Sequence, residues 1–250
     1  MKERIVSPQN PQEVLTELTC PNKDEIDEFL KAFPAEILQF SESFSTAYKG
    51  YLELNHTTLC PSNTDGEITQ KDYVTFFTYQ ILDNLFTSTK TLLSGFQTAS
   101  GNLLRQATEG IAVVILLSLD HTIQRTERRK GKEKKKTFHF YQSFKNEKAY
   151  ALSHLAIRLL LENQKLVGIT DYGIEMLGII KEYSNKHSHP TFFSTSSFIS
   201  YGMSGKMYLG GSFDKGKIDW YRSELQARIG FCDKLPALIR GLVKKVRDLQ

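Results

Sequence analysis

Between residues 70 and 98 there are apolar or aromatic side chains at positions 73, 74, 77, 81, 85 and 86, and then at 92, 93 and 96, among others. Steps of three and four put such side chains on one face of an α-helix, whereas a half-buried strand needs every second position. A stripe this long must be buried against other elements, so it predicts a long amphipathic helix within a helical bundle.

The neighbouring segments extend the pattern. "NKDEIDEFLKAF", 22–33, reads as a helix with Asn22 as its candidate N-cap and acids in its first turn. Pro34 interrupts, and 35–54 resumes helical spacing. Residues 55–69 read as a loop from their Pro, Asn, Asp and Gly content. Gly101 and Asn102 interrupt again, and a more buried helix is expected over 102–124. "TFHFYQSF", 137–144, is strand-like. Two helices are expected over 146–165 and 171–188, and two more over about 215–229 and 234–248, broken near Asp233 to Pro236. Residues 191–214, rich in Ser, Gly and aromatics, read as a long loop or a β-hairpin. The expectation is a mainly all-α fold: a loose segment over 1–22, then one helical domain over 23–250 with a small β-hairpin or loop insertion near 191–214.

Two classes of protein are disfavoured. The longest mainly apolar run, 111–119, has nine residues, and a bilayer needs about 20. No signal-peptide order opens the chain. A soluble, cytoplasmic protein without a membrane partner is expected. Cys20, Cys60 and Cys232 are far apart and odd in number, which argues against a disulfide framework or a cysteine zinc site.

The formal net charge of +4 conceals one basic segment. "RTERRKGKEKKK", 125–136, holds eight basic and two acidic residues, so the rest of the chain is slightly acidic. Arg125, Arg128, Arg129, Lys130, Lys132, Lys134, Lys135 and Lys136 form either a phosphate-contacting run or a solvated connector between helices.

Four features bear on chemistry. In "HSH", His187 and His189 would point about 200° apart on a helix, and no nearby Cys, Asp or Glu completes a zinc set; no metal or other cofactor is expected. "GSFDKGKI", 211–218, has Gly211, Gly216 and Lys217 at P-loop spacing but Ile218 where a Ser or Thr should hold magnesium. Arg105 and Glu109 stand at i, i+4 on a helix face that continues through Ala112, Val113 and Leu116. They are either a structural ion pair or an arginine held ready for an anion. At the end of 171–188, Lys181, Asn185 and His189 are successive i+4 neighbours, with Ser184 and His187 on the adjacent stripe. Pro190 disfavours helix at His189. This helix end is either a C-terminal cap or a reaction site with an imidazole, an amide and a hydroxyl.

The "LLR…E" helix at Leu103, Leu104, Arg105 and Glu109, followed by the "S…H" helix end at Tyr183, Ser184 and His189, resembles the HEPN superfamily of helical bundles over about 70–190. The resemblance implies a homodimeric, metal-independent endoribonuclease or toxin-type effector, in antiviral defence, with RNA as substrate and a protein partner in a defence complex. It implies that His189 handles protons, that an arginine supports the phosphate, and that the 2′-hydroxyl of the RNA attacks. In "SNKHSH", 184–189, Asn185 and His189 match the family pattern while Ser184 occupies the arginine position. Arg105, held by Glu109, would then supply the cation, with Lys181 or Lys186 as weaker substitutes. The same resemblance also covers catalytically inactive interaction or regulatory modules.

Overall fold

The computed structural model describes residues 11, 12, 15, 22–58, 68–129, 132–145, 155–188, 192–201, 207 and 211–249; at 128–129, 132, 180–181, 183–188 and 192–193 it describes the backbone alone. Among the described residues, ten α-helices from residue 23 onward and one two-stranded antiparallel sheet make a mainly helical fold.

Helix α1 (Lys23–Ala32) carries Asp24 and Glu25 in its first turn and Lys31 in its last, each complementing the helix dipole. Asn22 makes no side-chain cap; its Nδ2 donates instead to Ser94 O at 2.8 Å. Pro34 opens α2 (Pro34–Thr58), where its missing N–H has no helical partner to lose. Helix α3 (Gln70–Leu93) begins with a reciprocal capping box between Thr69 and Asp72. The turn into α4 (Gln97–Leu117) is made by Gly95 at φ +83°, not by Gly101 and Asn102. Gly101 is buried inside α4. A single helical glycine costs about 1 kcal/mol, which burial of the flanking residues offsets.

Helix α4 stops at Leu117 rather than continuing to 124, and strands β1 (Thr122–Arg129) and β2 (Lys132–His139) follow. The basic run therefore lies in a β-ribbon, not in a connector between helices. "TFHFYQSF" divides at His139: its first residues finish β2, and α5 (Phe140–Ser143) turns Phe140 and Tyr141 into the core. Four further helices follow: α6 (Ala156–Glu162), α7 (Gln164–Val167), α8 (Asp171–Ser188) and α9 (Phe192–Ser196). Of the expected insertion at 191–214, the described residues form α9 and one antiparallel bridge, Ile199 to Met207; the paired strands are those at 122–139.

The C-terminal helix α10 (Ile218–Asp248) runs unbroken through Pro236. The expected break fails because one apolar stripe, Leu225, Ile229, Cys232, Leu235, Ile239, Leu242 and Val246, stays buried on both sides of the proline. That burial outweighs the lost N–H and the bias of Leu235 against helix.

The main core lies where α3 packs along α4, α10 along α2, and α8 against α4. A second cluster joins α1 to α10 through Phe29, Phe33, Leu92, Tyr221 and Leu225. Between them α3, α4 and α10 share a buried polar network. Arg228 Nη1 donates to Glu224 Oε2 at 2.5 Å and to Glu224 O at 2.8 Å. Its Nη2 donates to Ser88 Oγ at 3.0 Å and Ser100 Oγ at 2.5 Å. Each serine hydroxyl in turn donates to the other's carbonyl.

Candidate nucleic-acid interface and the Arg105 pair

The ribbon register pairs Arg125 with Lys136, Thr126 with Lys135, Glu127 with Lys134, Arg128 with Glu133 and Arg129 with Lys132. Side chains alternate across a strand. Arg125, Lys134 and Lys136 therefore share one face with Glu127, while Lys135 and Glu133 occupy the other. Lys136 Nζ lies 2.9 Å from Glu127 Oε2 on the basic face. Residues 133–137 are all exposed. Arg128, Arg129 and Lys132 are placed here by backbone register alone, and Lys130 lies outside the described residues.

The free edge of β1 is held by side chains. Asn163 accepts from Gln124 N–H through Oδ1 and donates to Gln124 O through Nδ2, both at 2.8 Å. Glu162 Oε2 accepts from Thr126 N–H at 2.8 Å, and Arg158 Nη2 donates to Thr126 O at 2.8 Å. The Arg158–Glu162 pair, with Nε 2.8 Å from Oε1, keeps those two groups aligned. These side chains stand where a third strand would put its backbone. Ile123, fully buried, anchors the foot of the ribbon in the core. No local pattern marks Asn163, Glu162 and Arg158, because they lie 32 to 39 residues from their partners.

On α4, Arg105 Nε donates to Glu109 Oε1 at 2.9 Å, with the side chains 27% and 20% exposed. Ala112, Val113 and Leu116 continue the helix into the core as the spacing implies. Partly exposed i, i+4 pairs stabilise by about 0.3–0.5 kcal/mol, too little to set the register of a packed helix. The bond uses Nε; neither Nη group makes a hydrogen bond among the described residues. Helix α8, whose backbone carries Ser184, Asn185, Lys186 and His187, packs on α4 and on α6. His189 lies outside the described residues, as does any meeting of its ring with Arg105.

The P-loop-like stretch has another use. Lys217 is buried and donates to Ser196 O at 3.0 Å and Ser197 O at 2.7 Å. Burial pushes its amine pKa down, opposed by nearby Asp214. Asp214 caps the following turn through Gly216 N–H at 2.9 Å and accepts from Tyr201 N–H at 2.7 Å. Gly211 lets the backbone pass Ser94, whose carbonyl a Cβ there would overlap. Lysine and glycine alike serve packing. The buried Cys232 thiol is pushed up to about 12, first by burial and then by Asp233, and so stays unreactive. Among the described residues no three His, Cys, Asp or Glu side chains are grouped to hold a metal ion, and no helix is long and apolar enough to cross a membrane.

Comparison of the chain with protein-family models, with curated proteins and with solved structures finds no match.

Proposed function

We propose that this protein binds RNA through the basic face of the β-ribbon and cleaves it without metal at the α4–α8 junction. The observation that carries the binding half is the pinned ribbon. A solvated connector would let its lysines drift, whereas side-chain bonds at Gln124 and Thr126 hold Arg125, Lys134 and Lys136 on one face. Phosphate contacts of this kind supply most sequence-independent nucleic-acid affinity.

The cleavage half rests on the HEPN-like pattern. In this reading Arg105, oriented by Glu109, supports the scissile phosphate. His189 transfers the proton, and Ser184 and Asn185 orient the reacting groups. Two copies of the chain would complete the site, and an effector role in antiviral defence, with a protein partner, follows from the same pattern.

Ser184 at the arginine position favours a second reading, an inactive RNA-binding module. Cleavage of a labelled single-stranded RNA in EDTA separates the two. On the first reading wild type cleaves in EDTA, and His189→Ala and Arg105→Ala each lose about 100-fold or more. Equal rates in wild type and His189→Ala exclude the role given to His189. Retained binding without any cleavage selects the second reading.

A further inference from the structure

Two adjacent helices carry large apolar side chains, most of them aromatic, that the fold leaves outside. Tyr48 and Leu52 on α2, and Phe76, Tyr79 and Phe86 on α3, are each between 38% and 55% exposed. The rings of Tyr48, Tyr79 and Phe86 are joined through Phe44 and Tyr51 into one surface. Phe44 meets Phe86 at 5.4 Å between centroids and Tyr51 meets Tyr79 at 5.5 Å across the helix pair, while Tyr48 touches both Phe44 and Tyr51 along α2. Scattered exposed apolar residues are ordinary, but a contiguous patch of this kind marks an interaction surface.

The charges beside the patch indicate what covers it. The ring contacts, and Thr58 Oγ1 at 2.8 Å from Thr75 Oγ1, fix the level of α2 against antiparallel α3. By that pairing Lys49 stands near the level of Asp83, and Glu42 near that of Lys90. All four are exposed, and none forms an ion pair among the described residues. Their charges cancel, which disfavours a polyanion as the occupant. A two-fold axis parallel to the helices would lay α2 of one copy over α3 of the other at the same level. Lys49 then faces Asp83, and Glu42 faces Lys90, each twice, as an isologous interface requires. Helices of 25 and 24 residues offer a face about 36 Å by 20 Å, on the order of 700 Å² per copy, close to the roughly 800 Å² per partner of a stable interface.

We propose that the α2–α3 face is the surface of a homodimer closed about this axis. It is a different contact from the pairing of copies that would complete a cleavage site at the α4–α8 junction, and it stands apart from the RNA reading, because α2 and α3 carry neither the ribbon nor Arg105. Sedimentation equilibrium of the full chain from about 1 to 100 μM is the test. Wild type is expected at twice the 28.6 kDa chain mass. Phe76→Asp with Phe86→Asp, at exposed positions and with an unchanged thermal melt as the folding control, is expected to weaken association at least about 100-fold. Lys49→Asp is expected to weaken it about tenfold, and Lys49→Asp with Asp83→Lys to restore it. Wild type monomeric across the range, or a dimer untouched by the paired Phe substitutions, overturns the proposal. A charge exchange that fails to restore association overturns the axis.

Discussion

The two faces of the ribbon make a quantitative prediction about salt. Arg125, Lys134 and Lys136 share one face, and Lys135 lies on the other beside Glu133. If the first face contacts single-stranded RNA, each neutralised phosphate adds about −0.7 to the slope of log K against log salt. Lys134→Ser with Lys136→Ser removes two such contacts, so the slope should become shallower by about 1.4 whatever the other basic residues contribute. Between 50 and 200 mM salt, the loss of affinity should therefore be about sevenfold smaller than in wild type. Lys135→Ser should leave the slope unchanged. Fluorescence anisotropy with a labelled oligoribonucleotide of fixed length at four or more salt concentrations measures both. Equal effects from the two faces would refute the reasoning, because a mobile basic run has no faces. An unchanged slope in the double variant would remove RNA from the ribbon altogether.

Two stability predictions follow from buried features. Arg228 is 0% exposed and Glu224 1% exposed, so Arg228→Met leaves a buried carboxylate without its main partner and should cost about 3–5 kcal/mol, or a melting temperature lower by about 10 °C; Arg228→Met with Glu224→Leu should recover most of this, and a single variant within about 1 kcal/mol of wild type in urea unfolding contradicts the account. Gly95→Ala should cost more than about 2 kcal/mol, combining left-handed strain with overlap on the Ser212 backbone, whereas Gly168→Ala, also at positive φ but in open space, should cost only about 1–2 kcal/mol; equal losses at the two glycines show that strain alone sets the cost.

Much of the bundle was legible because long amphipathic stripes demand burial wherever they occur. The helix over 70–93 and the proline boundary at Pro34 follow from local spacing and from a missing N–H. Two of the failures share one cause: tertiary burial overrode a local breaker. Gly101 sits inside α4 and Pro236 inside α10, because the residues around each are committed to the core. Asn22 had the identity of a cap and the register of one. Its amide went instead to Ser94 O, 72 residues away, where Gly95 and Gly211 bring two backbones together.

The ribbon was harder to read, for a physical reason. "TIQRTERR" and "KEKKKTFH" lack apolar alternation and are rich in residues of weak strand propensity. Their pairing depends on Ile123 buried at the foot and on Asn163, Glu162 and Arg158 at the edge, none of which a local pattern reveals. Those same contacts give the basic residues a relation to the Arg105 pair. Helix α6 packs on α4 and carries β1 through Arg158 and Glu162, with Asn163 next in sequence, while α8 packs on both α4 and α6. The ribbon, the Arg105–Glu109 pair and the helix bearing Ser184 and Asn185 are thus mounted on two neighbouring helices. On the proposed reading, a strand of RNA held by the ribbon would lie against the same side-by-side scaffold that carries Arg105. That shared mounting is why variants at Lys134 and Lys136 should raise the KM for RNA cleavage, whereas variants at Arg105 should lower kcat.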